Sequence, residues 1–302
     1  MGEEPMNAAV RPPFFILCPL RSFSSLVCGM LGQHPDFLGL PELNLFLDDY
    51  VSDLHRKLRR RGRAHATNGV LRALAELQFG GQSEANVDEA QHWLNEADRS
   101  CQDVCDHIIA LASPKAIIDK SPATVMKPEH LDRMYEMYPD AFFLHLTRHP
   151  RPTCKSMIDL VSRNSEWGGK FDSERMDPEN VWLQAHTNIV EFCSSLPLGQ
   201  SMRIQGEQLL SNLEIYLPQI FEWLEARTDA EALEEVMHPE RSPFACEGPQ
   251  NAKYGNDPNF LANPALRRGQ VKTSTLEGPL DWNPEAEFRP ETLKLAREFG
   301  YQ

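Results

Sequence analysis

The stretch FFILCPLRSFSSLVCGML, at residues 14–31, decides the fold. Its first half is a short apolar run closed by Pro19, which is typical of a fully buried strand. A polar turn from Arg21 to Ser25 follows, and the apolar residues beyond it have helical spacing. The N–H groups of such a turn and the positive end of the helix dipole point at one spot. The stretch therefore predicts a strand, an anion-binding turn and a helix.

The polar turn also has an ordinary interpretation, because serine residues often cap the N-terminus of a helix. It lacks the Walker pattern G-x-x-x-x-G-K-[ST], since the turn contains no glycine and ends without a lysine. The sequence therefore does not indicate an ATP or GTP loop of the ordinary kind. If the turn binds an anion, its donors are the backbone N–H groups, the Arg21 guanidinium and the hydroxyls of Ser22, Ser24 and Ser25.

Length and composition indicate a globular protein with a sizeable core. The chain has 302 residues, of which 41% are hydrophobic and 25% are charged, and this length suits one large domain or two small ones. We interpret residues 1–302 as a single domain. The net charge of −14 argues against nucleic acid or an anionic membrane as the main partner, because both repel an acidic surface.

The seven cysteines are scattered, and only Cys101 and Cys105 lie close together in the sequence. One i, i+4 pair without a second pair of ligands is a poor metal site, so we expect no bound metal. Free, mostly buried thiols in a reducing compartment fit this pattern best. Residues 1–13 are polar with one arginine, so we expect no signal peptide, and no run reaches the ~20 apolar residues of a membrane span. We therefore expect a cytoplasmic protein.

Strands and helices alternate along the chain, which favours an α/β fold with a mostly parallel sheet flanked by helices. A helical insert at about 43–112, a polar lid loop at 164–180 and a tail rich in proline, glycine and asparagine at about 239–290 interrupt the alternation. A long irregular stretch of this kind is usually functional. Further strands are predicted at 37–40, at 116–122 with its turn, at 141–147 and at 202–205, and helices at 43–60, 67–79, 87–112, 128–138, 153–163, 178–196, 213–226 and 290–299.

Two predicted strands end in residues that suit anions, Arg21-Ser22-x-Ser24-Ser25 and Arg148-x-x-Arg151-x-x-x-x-Ser156. In an open α/β sheet, ligands bind at the carboxyl ends of the strands, so two anion sites there suit a nucleoside with phosphates at both ends. The pairing of the two motifs resembles the sulfotransferases that use 3′-phosphoadenosine 5′-phosphosulfate (PAPS). The first loop of that family is similar to P-[KR]-S-G-T-T, and its second element is an apolar strand followed by R-x-x-R-x-x-x-x-S.

Three further motifs agree with this resemblance, which covers most of residues 14–300. The turn Asp119-Lys120-Ser121-Pro122 is similar to the family's [DE]-K-[TDS]-P turn, and residues 203–209 look like its R-Y-E-D-L strand end. Residues 256–261 and Trp282 resemble the acceptor-side tail of bacterial sulfotransferases from polyketide pathways. The resemblance implies the family's P-loop-like three-layer sandwich and the transfer of a sulfuryl group from PAPS.

The resemblance also implies which residues hold PAPS, with no metal required. Arg148 and Ser156 would hold the 3′-phosphate, Arg267 and Arg268 would close over it, and Lys120 would neutralise charge on the transferring group. Solvation or pairing with a carboxylate is the ordinary alternative for each of these cations. The 5′-phosphosulfate would lie on the first turn and the start of its helix, at Arg21, Ser22, Phe23, Ser24, Ser25 and Leu26.

Phe23 stands where the family usually has glycine. A phenylalanine at a position that needs a positive φ costs strain energy. Either the turn is built differently, or the Phe23 ring packs near the cofactor or the acceptor. The backbone donors of the turn are kept in both cases.

Sulfuryl transfer also needs a base that takes the acceptor's proton. In cytosolic sulfotransferases of small molecules a histidine follows the lysine by two residues, and here Pro122 stands at that place. In tyrosylprotein sulfotransferases the base is a glutamate shortly after an H-P-D sequence, and Glu42 stands at the corresponding step after His34-Pro35-Asp36. We expect Glu42 to be the base, with a solvated carboxylate at a helix N-terminus as the alternative. His34 is a rival whose turn suits a structural role, and His145 lies in an apolar strand, where a core histidine is expected.

The acceptor is predicted only by class. The insert and the tail are expected to form its pocket, and the likeness to polyketide-pathway enzymes suggests a small-molecule natural product with a hydroxyl or an amine, free or bound to a carrier protein. A peptide tyrosine fits less well, since the polypeptide enzymes work in a secretory compartment. Two other functions stay open: a nucleotide phosphotransferase, which the missing Walker lysine disfavours, and a non-catalytic PAPS-binding protein, which an intact Glu42 and Lys120 disfavour.

Overall fold

The computed structural model describes residues 11–163, 177–267, 269, 271 and 274–302. Most of the predicted lid, residues 164–176, lies outside this part of the chain. Within it, five strands form one sheet in the order β2-β3-β1-β4-β5, and every neighbouring pair is parallel. This confirms the predicted α/β class. The strands are β1 (Phe14–Leu17), β2 (Phe37–Gly39), β3 (Ala116–Asp119), β4 (Phe142–Thr147) and β5 (Ser201–Gln205).

Helices connect the strands and cover both faces of the sheet. Those described are α1 (Ser24–Leu31), α2 (Val51–Arg60), α3 (Asn68–Phe79), α4 (Glu84–Asn95), α5 (Cys101–Ala112), α6 (Pro128–Met137), α7 (Pro150–Arg163), α8 (Pro178–Ser195), α9 (Gly206–Ser211), α10 (Leu213–Trp223), α11 (Ala230–Glu235), α12 (Pro258–Ala262) and α13 (Pro290–Glu298). Short 3₁₀ helices lie at Leu45–Leu47, Ala64–Thr67, Thr124–Met126, Pro239–Arg241 and Gln250–Ala252.

The helical insert differs from the prediction at two places. The single helix predicted at 87–112 is two helices, α4 and α5, because Ser100 begins a new one. The Ser100 side chain accepts from the Asp103 N–H while the Asp103 carboxylate accepts from the Ser100 N–H, which is a capping box. The helix predicted at 43–60 is a 3₁₀ turn followed by α2.

Consecutive residues of β1 point to opposite faces of the sheet, and each face has its own apolar layer. Phe15 and Leu17 pack with helices α2 to α6 and α8 in one layer, and Phe14 and Ile16 pack with α1 and α10 in the other. Burying a side chain of this size stabilises the fold by about 1.5–3 kcal/mol. The layers hold the strands in register, so that their carboxyl ends form one continuous edge.

The cysteines are free thiols as predicted, with five of the seven buried and Cys246 exposed. None of the described helices is long and apolar enough to cross a membrane. Among the same residues, no three or more His, Cys, Asp or Glu side chains come together as a metal-binding group.

Candidate active site

Four strands end at one edge of the sheet, and each is followed by a residue with suitable chemistry. The turn from Arg21 follows β1, Glu42 follows β2, Lys120 follows β3 and Arg148 follows β4. Because all the strands are parallel, these residues share the carboxyl edge. The structure thus brings together residues that lie up to 127 positions apart.

The turn after β1 is strained at two positions. Arg21 has φ 67° and Phe23 has φ 64°, and a left-handed conformation costs a residue with a Cβ roughly 1–2 kcal/mol. Phe23 thus adopts the conformation that the family's glycine would take without strain. Its ring lies 4.1 Å below the Arg148 guanidinium carbon and packs on Gly206, where an added Cβ would come within 2.7 Å of the ring.

The serines do not begin helix α1 as ordinary caps. Phe23 is the N-cap residue, and its side chain makes no capping hydrogen bond. Ser22, Ser24 and Ser25 are all buried, and the structure gives the Ser22 hydroxyl no partner among the described residues. A buried hydroxyl without a partner among the described residues therefore lies two positions before α1, whose first N–H groups are free to bind an anion. Leu26, in the first turn of α1, packs against the apolar layer that contains Phe14 and Ile16.

The Arg21 side chain joins the first turn to the second anion motif. Its Nε donates to the Ser156 hydroxyl at 2.9 Å, its Nη1 donates to the Asp257 carboxylate, and only 7% of the side chain is exposed. Its carbonyl oxygen accepts a hydrogen bond from Nη1 of Arg148. The two motifs that the sequence separates are thus in direct contact.

Arg148 is half-buried, and its charge is partly uncompensated. Burial lowers the pKa of its guanidinium to about 10, although the nearby Glu207 carboxylate opposes this shift. Its Nε is buried, and the structure gives that atom no partner within the described chain. Arg148 remains protonated at neutral pH and has a donor available for an anion.

Lys120 and Glu42 form an ion pair, with Nζ 2.7 Å from Oε1. The Lys120 side chain is fully buried, whereas 32% of the Glu42 side chain is exposed. Burial by itself lowers the pKa of Lys120, but the charge and hydrogen bond of Glu42 outweigh it and raise that pKa. The ammonium therefore stays charged, and its carboxylate partner can be reached from solvent.

Backbone contacts fix the position of Glu42. Its N–H donates to the Gly255 carbonyl at 2.7 Å, and a Cβ on Gly69 would lie 1.9 Å from the Glu42 carbonyl oxygen. The next residue, Leu43, donates its N–H to the Asp119 carboxylate at 3.1 Å. Burial raises the pKa of Asp119 to about 6, against the hydrogen bonds from Leu43 and Ser121. The insert, the tail and the β3 turn all hold Glu42 in place.

The chain matches the model of the "Sulfotransferase family" over residues 12–230, which is most of its length. The chain belongs to the sulfotransferase family. The match includes the first turn, Glu42, Lys120 and the second anion motif, and it ends before the tail.

Two solved structures resemble this sulfotransferase over nearly its whole length. The sulfotransferase domain of the Synechococcus PCC 7002 olefin synthase is 23% identical with a TM-score of 0.74, covering 100% of this chain and 99% of that one. The sulfotransferase domain of the curacin biosynthetic pathway is 22% identical with a TM-score of 0.75, covering 97% and 99%. At these identities the likeness establishes the fold.

One relative is similar to this chain in sequence. Nodulation protein NoeE from Sinorhizobium fredii is 30% identical over 169 residues. The match covers 55% of this sulfotransferase and 34% of NoeE, so the chain spans about a third of the length of that relative.

The outcomes differ for the remaining candidates. His34 lies before β2, at the opposite edge of the sheet, where it contacts the Arg227 carbonyl and the Asp36 N–H, which fits the structural role suggested by its turn. His145 is buried and lies 2.9 Å from His186, as expected of a core histidine. Arg267 is exposed, and Arg268 lies outside the described residues.

Arg151 has a structural role in this sulfotransferase. Its guanidinium donates to the carbonyl groups of residues 275 and 277–279, which holds that part of the tail against α7. Sequence reasoning missed Asp257, although Asp257-Pro258 is a recognisable helix start. No sequence pattern reveals its contact with Arg21, which lies 236 positions away.

Proposed function

We propose that this sulfotransferase transfers the sulfuryl group of PAPS to a hydroxyl, or an amine, of a small-molecule natural product. One observation carries the proposal. The two anion motifs and the ion pair of the buried Lys120 with Glu42 lie together at one edge of the sheet. The anion motifs suit the donor's phosphates, and the pair suits a proton transfer beside a developing charge.

The residues of the edge fit a donor with two anionic ends. The Ser22 hydroxyl and Arg148 Nε are buried polar atoms that lack partners within the described chain, and both can donate to phosphate oxygens. Next to them are the uncapped N–H groups at the start of α1. We assign the 5′-phosphosulfate to the Arg21–Ser25 turn, with Leu26, and the 3′-phosphate to Arg148 and Ser156.

The donor supplies the sulfuryl group as an anhydride with its 5′-phosphate. Glu42 takes the proton of the acceptor hydroxyl while the acceptor oxygen bonds to sulfur. Lys120 stabilises the negative charge on the phosphate oxygen as the bond from that oxygen to sulfur breaks. Lys120 engages Oε1 of Glu42 in the structure, so we assign the acceptor's proton to Oε2.

The insert and the tail are proposed to form the acceptor pocket. Both reach Glu42, the insert through Gly69 and the tail through Gly255. The likeness to sulfotransferase domains of an olefin synthase and of a biosynthetic pathway supports an acceptor made by such a pathway. A carrier-bound polyketide hydroxyl is one acceptor of this class.

A transfer assay tests the proposal. The protein is incubated with PAPS and a panel of hydroxylated and aminated acceptors, each offered free and as a thioester on a carrier protein. We expect a sulfated product by mass spectrometry, with equimolar release of 3′-phosphoadenosine 5′-phosphate. The Glu42→Gln variant is the control and should form little sulfated product. Phosphorylated products from ATP and magnesium, with no sulfated product from PAPS, would contradict the proposal.

A further inference from the structure

Asp257 brings a negative charge from the tail into the middle of the proposed donor site. Its carboxylate accepts from Nη1 of Arg21, and its N–H donates to the Ser25 hydroxyl at 2.9 Å. The charge of Asp257 also acts on Lys120 and Arg148, although burial and a nearer glutamate dominate the pKa of each. Asp257 thus contacts one cation of the site, Arg21, and its negative charge also acts on Lys120 and Arg148.

Arg21 already uses two of its donor groups inside the protein. Nε is engaged by Ser156 and Nη1 by Asp257, and the side chain is almost fully removed from water. A guanidinium binds an anion best when two adjacent N–H groups are available. An anion that binds the Nη1 and Nη2 N–H groups of Arg21 would therefore share Nη1 with the Asp257 carboxylate and lie beside its negative charge.

The carboxylate is anchored by the backbone around it. Asp257 begins α12, with Oδ1 accepting from the Asn259 N–H at 2.8 Å. Just before it, the Gly255 carbonyl accepts from the Glu42 N–H, and the Tyr254 carbonyl accepts from the buried Arg72. Moving the Asp257 carboxylate away from Arg21 would therefore break its cap on the Asn259 N–H or shift the segment that also holds Glu42.

We infer that Asp257 competes with the donor's anionic groups for Arg21, and so sets the affinity for the donor from the acceptor side. The inference rests on the proposed function, because it takes the ligand of the edge to be a nucleotide bisphosphate. Asp257 is a positioning residue in this account, since it acts through Arg21.

The first test is the change Asp257→Asn. Asparagine caps a helix as well as aspartate does and keeps an oxygen that can accept from Arg21, but it removes the negative charge. Binding of 3′-phosphoadenosine 5′-phosphate, measured by calorimetry, should become about tenfold tighter, the order expected when one like charge leaves a partly buried anion site. The gain should shrink as salt is raised.

Asp229→Asn is the matched control. Asp229 also caps a short helix, α11, and pairs with an arginine, Arg227, at 2.8 Å. The Arg227 carbonyl contacts His34, so this pair lies towards the other edge of the sheet. The control removes the same charge from the same kind of cap and should leave the affinity unchanged.

A double-mutant cycle tests whether Arg21 transmits the effect. In an Arg21→Gln background, the gain from Asp257→Asn should fall clearly below its value in the wild type. An equal gain in both backgrounds would overturn the inference, because Asp257 would then act on the ligand without Arg21.

The outcomes separate the inference from the proposed function. If the wild type binds the bisphosphate and Asp257→Asn binds it equally or more weakly, the inference is wrong and the function stands. If the wild type and Asp257→Asn both fail to bind it, the proposed function itself fails and takes the inference with it.

Discussion

Two sets of buried polar groups lie at opposite edges of the sheet, and they differ in how they are paired. At the amino edge, Nδ1 of His34 accepts from the Asp36 N–H at 3.1 Å, and Nε2 lies 2.9 Å from the Arg227 carbonyl oxygen. At the carboxyl edge, Ser22 Oγ and Arg148 Nε are buried, and neither has a partner in the described part of the chain.

This difference in pairing predicts which substitutions affect stability and which affect function. An unpaired buried polar group costs about 1–3 kcal/mol, and we interpret Ser22 Oγ and Arg148 Nε as donors that a bound ligand would engage. Changes at the amino edge should therefore alter the free energy of unfolding. Changes of Glu42 and Arg148 at the carboxyl edge should alter turnover or donor binding.

The largest effect is expected at Glu42. Glu42→Gln keeps the shape and an acceptor for Lys120 but removes the base, so turnover should fall by about 10²–10⁴-fold. Donor affinity should stay nearly the same, since Glu42 is assigned to the acceptor. Steady-state rates and a binding titration check both points, with Asp36→Asn as the amino-edge control. Unchanged turnover would assign the base to another residue.

Arg148 and Arg151 belong to one motif, and we expect substitutions of them to differ in the same way, one affecting donor binding and the other stability. Arg148→Ala should weaken donor binding by about 10–100-fold, the value of one or two hydrogen bonds to a charged group. Arg151→Ala should instead lower the unfolding free energy by a few kcal/mol, because four carbonyl contacts are lost. Calorimetry and urea unfolding of both variants decide this, and normal donor binding by Arg148→Ala would contradict the 3′-phosphate assignment.

The sequence predicted the sheet and the placement of most candidate residues at its carboxyl edge, because both rest on local patterns. Apolar strands such as β4 and the turn around Arg21 are recognisable within a few residues. The split between α4 and α5 was missed although the Ser100 capping box was visible. The roles of Asp257 and Arg151 could not be predicted, because their contacts join residues more than 120 positions apart.

A smaller effect is expected at His186, which is buried and paired with His145 behind the carboxyl edge. Burial lowers the pKa of His186 to about 3, below its ordinary value of 6.5. Between these values the unfolded chain binds a proton that the folded chain does not, so stability falls as pH falls through this window. Between pH 7 and 5 this one residue should remove about 2 kcal/mol. Urea unfolding at pH 7 and pH 5 should show a smaller loss of unfolding free energy for His186→Gln than for the wild type. An equal loss in both proteins would contradict the lowered pKa of His186.

The smallest effect is expected at His34. His34→Gln should cost about 1 kcal/mol of unfolding free energy, the usual value of a hydrogen bond, with part of the stacking on Phe221 also lost. Donor affinity and turnover should not change, because the residue lies at the far edge. A loss of turnover in a folded His34→Gln protein would break the comparison between the two edges.

The central claim is that the carboxyl edge binds a nucleotide with anions at both ends. The most direct measurement is calorimetric titration of the wild type with 3′-phosphoadenosine 5′-phosphate and, separately, with ATP, both without magnesium. We predict micromolar binding of the bisphosphate and little binding of ATP. Binding of ATP at equal or higher affinity, or binding of neither nucleotide, would contradict the account.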